Sequence, residues 1–371
     1  MRIKEKLKLH YVNYRGVRIP DKVVIFESDD WGAIRSTGSQ GVKTLKEKGY
    51  QVEKCAYSKF DSIESNNDVE LLLTTLDSFS AAGESKPKFT LNNIVANPDF
   101  GRIETSDFEE YYYEPFTRTL GENDNSNRVM TLYKEGLNNN LIQPQFHGRE
   151  HVHVHSWMND LKQPGTIARD CFNLNMVSAH KNDNHDCRNE YLSSHVITDE
   201  TSKAIVLESI VDGLDLFEKI WGFRSLTSIS PCYFWNQQVE DVLYKNGIKA
   251  IQSGRVQFIH NTHLETRRHY FGEKNKNNQV YLLRNAFFEP SLKRTSDPVG
   301  TCLSQIKLAF DWSVPAIIST HRVNYIGVHN ERNRVENILS LKVLINSIIT
   351  KWPDVKFMTS DELYKTYLVE L

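Results

Sequence analysis

Two stretches far apart in this chain carry side chains that can hold a metal ion and move a proton. Phe26-Glu27-Ser28-Asp29-Asp30-Trp31-Gly32 closes one hydrophobic run, and Phe146-His147-Gly148-Arg149-Glu150-His151 closes another. Two imidazoles and one carboxylate suffice to hold a zinc-type ion with a position open for water, and the second carboxylate is left over as a base. A spacing of four puts His147 and His151 on one face of a helix, and a strand end followed by one turn also lets them converge. This pair ranks above His151 with His153, although His151-Val152-His153-Val154-His155 alternates like a strand. Neighbouring strand residues face opposite sides, so Asp29 and Asp30 can take different roles, one toward metal and the other toward substrate. His321 closes the run Ala316-Ile317-Ile318-Ser319-Thr320 and can protonate a leaving group. Candidate substrate contacts are Trp31 and Arg149 within the two stretches, and Tyr233 and Trp235 after Pro231. Arg322, Asn324 and Tyr325, which trail His321, join them, and Arg322 can instead orient a catalytic carboxylate. Cys171, His180, His185 and Cys187 match no usual zinc spacing.

Strand ends must position these groups. Short apolar runs alternate with helical periods along the chain. Strands are expected at 23–26, 88–94, 141–147, 225–230, 249–252, 280–284, 316–320 and 355–358. Helices are expected at 68–82, 128–138, 198–221, 239–246, 298–312, 331–351 and 361–369. Asp199 or Thr198 can cap the third helix and Gly222 can end it. Such alternation predicts an α/β fold, a closed or nearly closed (β/α) barrel of seven or eight parallel strands. The chain reads as one domain over 1–371, with loop insertions at about 36–66, 97–127 and 161–196. Each insertion follows a strand end, where barrel loops build the rim of a site. No glycine-rich phosphate-binding motif occurs.

Composition narrows the function. Hydrophobic residues make up 39% of the 371 and charged residues 25%, enough for a sizeable core and a solvated surface. The net charge of -2 gives no electrostatic case for nucleic acid or an anionic membrane. Five scattered cysteines without a Cys-x-x-Cys fit a reducing compartment, and the charged N-terminus lacks an apolar signal core. A cytoplasmic protein with no membrane span is expected, its oligomeric state open.

The motifs, in this order, resemble the polysaccharide deacetylase superfamily (carbohydrate esterase family four, the NodB-homology domain). The Asp-Asp pair looks like the family's first motif, His147 and His151 like its second, Ser230-Pro231-Cys232-Tyr233-Phe234-Trp235 like its third, and His321 like its last. The resemblance implies Asp29 as general base, Asp30, His147 and His151 as ligands of a divalent metal, usually Zn2+, and His321 as general acid. It implies hydrolytic removal of an N- or O-acetyl group from a carbohydrate or glycan precursor. A glycoside hydrolase on a related barrel and a non-catalytic glycan-binding relative are the competing readings. The chain departs from the family in three places. The third motif lacks its base-orienting arginine, a role left to Arg149 or Arg322. Ser319 replaces a leucine, and Asp311-Trp312 lies too close to His321 to be the fourth motif.

Overall fold

The structure is a computed structural model that describes residues 3–52, 55–179, 191–259 and 265–370. Nine strands make one sheet: β1 (Val23–Trp31), β2 (Phe89–Asn93), β3 (Ile142–Phe146), β4 (Thr227–Ile229), β5 (Ala250–Ser253), β6 (Val280–Leu283), β7 (Ala286–Phe287), β8 (Ala316–His321) and β9 (Lys356–Phe357). The order is β6-β5-β4-β3-β2-β1-β8-β7, with β9 on β1 alone, and every pairing is parallel. The two ends of this path are halves of one strand. The Arg284 N–H donates to Ser253 O of β5 at 2.9 Å, while the next N–H, of Asn285, donates to Ile317 O of β8 at 3.1 Å. The 280–287 segment therefore bridges β5 and β8 and closes the sheet into a distorted barrel, so the expected α/β barrel is the observed fold.

Helices α1 (Ile3–Arg15), α2 (Asn66–Asp77), α3 (Val129–Asn138), α4 (Glu200–Trp221), α5 (Gln237–Lys245), α6 (Pro298–Asp311) and α7 (Glu331–Lys351) surround it. Their ends follow side-chain chemistry. Ser65 and Asp68 form a capping box on α2, Asp199 and Ser202 form one on α4, and Gly222 ends α4 at a left-handed φ of 78°. Outward-facing strand residues such as Val24, Phe26 and Phe89 pack with Leu72, Ile306 and Leu341 in the main core. The charged N-terminus is α1, which the sequence pattern did not suggest. Two antiparallel ribbons, 96–98 with 113–115 and 256–258 with 266–268, were also not expected.

The three insertions share a second core. Leu45 and Val52 from the first, Ile103 and Phe108 from the second, and Cys171 and Phe172 from the third pack together around Trp157. The stretch 151–155, which alternates like a strand in sequence, forms none: Val154 and His155 open a helix, Val154–Leu161, with His153 at its N-cap position. The 180–190 segment, with His180, His185 and Cys187, lies outside the described residues.

The barrel interior is polar. Asn92 bonds Asp29 and Gln252, Gln252 bonds Thr227, and Glu27 accepts from Ser360 and Arg284. All are buried, and burial of such groups is tolerable only because they satisfy one another. Inward positions here position charge rather than fill volume.

Candidate functional site

β1 ends in a break of strand geometry. Alternation would send Asp30 away from Asp29, but Asp30 has a φ of 76°, and the β1–β2 register shifts between Ser28 and Trp31. This bulge turns both carboxylates into one cavity. Gly32 follows with a φ of 86°, and a Cβ there would lie 2.4 Å from the Ile94 carbonyl oxygen. Only glycine fits that turn.

Asp30, His147 and His151 converge. Their ligand atoms all lie within 4.8 Å of one another, and all three residues are buried. Asp30 Oδ1 is 3.4 Å from His147 Nε2 and 3.3 Å from His151 Nε2. His147 Nδ1 lies 2.9 Å from the Ile229 carbonyl oxygen, which only accepts, so Nδ1 carries the proton and Nε2 presents a lone pair to the cluster. Burial and the Arg35 charge push His151 down to about 4, which keeps it neutral. Burial favours a protonated Asp30, but the Arg35 charge at 3.2 Å holds it well below the usual carboxylate range.

The surrounding charges fit a divalent cation. Six buried carboxylates (Glu27, Asp29, Asp30, Asp61, Glu64, Glu289) are linked through four cations (Arg35, Arg284, Arg322 and a protonated His321), a formal charge of -2. A doubly charged ion at the Asp-His-His cluster would neutralise the set, whereas unbalanced buried charge is costly.

Asp29 is held on both oxygens. Arg284 donates from its two terminal nitrogens at 2.6 Å each, and Asn92 donates to Oδ1 at 2.7 Å. Burial opposes ionisation, yet the Arg284 charge outweighs it and brings Asp29 down to about 2. Across the cavity, His321 Nδ1 is 2.6 Å from Glu289 Oε1, and Nε2 is 3.6 Å from Asp29 Oδ2. Burial alone would lower this imidazole, but Glu289 pushes it up to about 9. Asn324 donates to the other Glu289 oxygen at 2.7 Å.

These groups floor a cavity of about 550 Å³. Cys55, Tyr57 and Ser58 from the first insertion form part of its wall, as do Met176, Ser178, Ala179 and Leu192 from the third. Ile229, Cys232, Tyr233, Phe287 and Arg294 also line it. The second insertion contributes none of the lining residues.

Other expected contacts fall elsewhere. Tyr233 lines the cavity and its hydroxyl accepts from Arg284 at 3.0 Å. Trp31 is fully buried, donating its indole N–H to Ser28 and packing edge-on against Tyr133, so it is a core residue. Trp235 is 1% exposed, donating to Glu240, and Tyr325 is buried beside Thr320. Arg322 orients no base: it is buried on Asp61 and Glu64. Arg149 is taken by Glu150 and Asp212. Asn324 reaches the site only through Glu289. His153 bonds Ser156 and the Val196 carbonyl and stands apart from the His147–His151 pair.

Arg284, Glu289 and Asn92 were not foreseen. Arg284 had a signal: a lone cation closes the apolar run Val280–Leu283 as the aspartates close theirs. Glu289 had none, because nothing in sequence links it to His321, thirty-two positions away.

No protein-family model and no curated protein matches the chain. Among solved structures it is similar to a 4-α-glucanotransferase from Thermococcus litoralis at 10% identity and a TM-score of 0.50, covering 94% of this chain and 41% of that one. The chain thus spans well under half the length of that enzyme. A family 4 acetyl xylan esterase from Clostridium thermocellum in complex with a cobalt ion aligns at 12% identity and a TM-score of 0.37 over 93% of this chain and 91% of that one. PuuE allantoinase aligns at 9% identity and 0.47 over 93% and 91%. At 10% identity the likeness to the first of these is one of fold alone.

Proposed function

We propose that this chain is a metal-dependent hydrolase that removes an N- or O-acetyl group from a carbohydrate, as a divergent relative of the polysaccharide deacetylases, with Zn2+ as its ion. One observation carries the reading. A buried Asp-His-His cluster, a carboxylate clamped in its ionised form and an imidazole raised to about 9 share one cavity floor. A divalent ion held by Asp30, His147 and His151 would polarise an acyl carbonyl and bring the pKa of water toward ~7.

The chain's own groups do the rest. Arg284 and Asn92 fix the Asp29 carboxylate, which takes the proton of the attacking water. A base this weak would serve where a bound ion acidifies the water it faces, and it stays ionised at every working pH. His321 donates Nδ1–H to Glu289, and this leaves Nε2–H to protonate the departing sugar oxygen or nitrogen. Tyr57 packs edge-on against the His321 ring, with centroids 5.4 Å apart, and restricts its rotation. In this reading residues 1–371 make one barrel domain, and the first and third insertions shape the substrate cleft.

The test is acetate release by the metal-loaded chain across a panel of N- and O-acetylated sugars, with Asp29→Asn beside it. The expected result is turnover by the wild type, and metal content without turnover in the variant. Metal without turnover on any acetylated sugar would favour a glycan-binding protein. Glycosidic cleavage by metal-free protein would favour a glycoside hydrolase.

A further inference from the structure

Charge is unevenly spread along this chain. The net charge is -2, yet residues 3–18 hold five basic residues and one acid. That acid, Glu5, faces the Arg255 charge. Lys4, Lys6 and Lys8 are exposed and have no ion pair among the described residues. The helix that carries them, α1, packs by one face. Leu9 and Asn13 are buried. Trp312, at the end of α6, donates its indole N–H to His10 and packs edge-on against Tyr14, with centroids 5.3 Å apart. The outer face carries Leu7, Tyr11 and Tyr14, which are 62%, 51% and 57% exposed. At 3.6 residues per turn these three lie within about 60° of one another around the helix. Lys4, Lys8 and Arg15 follow on one side of this apolar ridge and Lys6 on the other. The patch continues onto the ribbon 266–268 and the residues after it. Tyr11 meets Tyr270 edge-on at 6.2 Å, and the Arg15 guanidinium lies 4.4 Å from the centroid of the Tyr270 ring. Arg268 is exposed, and its charge reaches both tyrosines.

We propose that this face of α1 docks onto an anionic lipid surface, with Leu7, Tyr11 and Tyr14 at the boundary of headgroups and acyl chains and the flanking cations on the headgroup anions. An interfacial helix pairs an apolar face with lysines whose stems reach back to the polar layer, and tyrosine suits a boundary that is apolar on one side and wet on the other. A nucleic acid would answer the cations but leave Leu7, which has no ring to stack on a base, without a partner. A second copy of the chain would bring cations against cations. The proposal goes beyond the hydrolase reading and does not depend on it.

The test is co-sedimentation of the full chain with vesicles of phosphatidylcholine alone and of phosphatidylcholine and phosphatidylserine in equal parts. The anionic vesicles should carry the protein down, the neutral ones should not, and added salt should release it. Each cation near such a surface is worth about fivefold in partitioning, so Lys4→Gln with Lys8→Gln should weaken binding about thirtyfold. Leu7→Asp should weaken it about tenfold or more, by removing an apolar contact and adding a like charge to the surface's own. All three positions are exposed, so both variants should melt with the wild type. Equal binding to both kinds of vesicle, binding to neither, or binding that survives either variant would overturn the proposal. So would displacement of the chain from anionic vesicles by a single-stranded oligonucleotide at matched charge, or a sedimentation-velocity dimer that Leu7→Asp dissolves, because each would put another occupant on this face.

Discussion

Replacing Arg284 with Met tests the centre of the site without touching a candidate metal ligand. Arg284 is fully buried and bonds two carboxylates, Asp29 through both terminal nitrogens and Glu27 through Nε at 2.6 Å. Removing one partner of a buried ion pair typically costs about 3–5 kcal/mol, because the remaining charge is stranded. With an unfolding entropy of roughly 2.1 cal/mol/K per residue, 371 residues give ~0.8 kcal/mol/K. The loss should therefore appear as a fall in Tm of about 4–6 °C by calorimetry. Glu27→Gln added to Arg284→Met removes one stranded charge and should recover part of that loss, although Glu27→Gln alone is destabilising. Activity carries a second signature. Burial raises Asp29 and Arg284 opposes it, so without the guanidinium Asp29 must move up from about 2. A base whose pKa is depressed is protonated only as pH falls through that low value. The wild type should show no acid limb from Asp29 above pH 4, and the variant should gain one. A Tm within 1 °C of wild type, together with an unchanged acid limb, would refute the assignment of Arg284 as the group that holds Asp29 ionised.

Cobalt titration followed by visible absorption should give one ion per chain, which Asp30→Ala or His147→Ala should abolish and His153→Ala should leave intact. In metal-free protein, nitrogen chemical shifts should report His321 titrating near 9, and Glu289→Gln should bring it down toward the ordinary value near 6.5. Because the folded pKa is the higher one, the stability this pair contributes is fully present below about 6.5 and is lost as pH rises through 9. Unfolding measured across that range should show the loss in wild type and not in the variant. Gly32→Ala should lower stability by at least ~2 kcal/mol in thermal or denaturant unfolding, since its Cβ would meet the Ile94 carbonyl at 2.4 Å in a backbone already at positive φ.

What the sequence made legible follows from which physical signals are local. Strands such as 316–321 announce themselves through β-branched residues in a row, and α4 through its cap and its terminal glycine. The Asp-Asp pair and His-x-x-x-His were readable because each is a short spacing at a strand end. Inference from strand period then misled in one respect: strict alternation separates Asp29 from Asp30, and the two share a cavity only because Asp30 adopts a left-handed backbone at a bulge. A bulge leaves almost no composition signal beyond the glycine after it. The orienting arginine was sought beside the known motifs, at Arg149 and Arg322, but both of those are consumed by nearer carboxylates. Arg284 lies 255 positions from Asp29 in sequence and reaches it because 280–287 switches neighbours from β5 to β8, which turns residue 284 inward beside β1. The same closure carries Phe287 and Glu289 to the cavity wall, so one segment, 280–289, supplies the clamp on Asp29 and the partner of His321. The strand least visible as a single element thus organises most of the site that the motifs alone left incomplete.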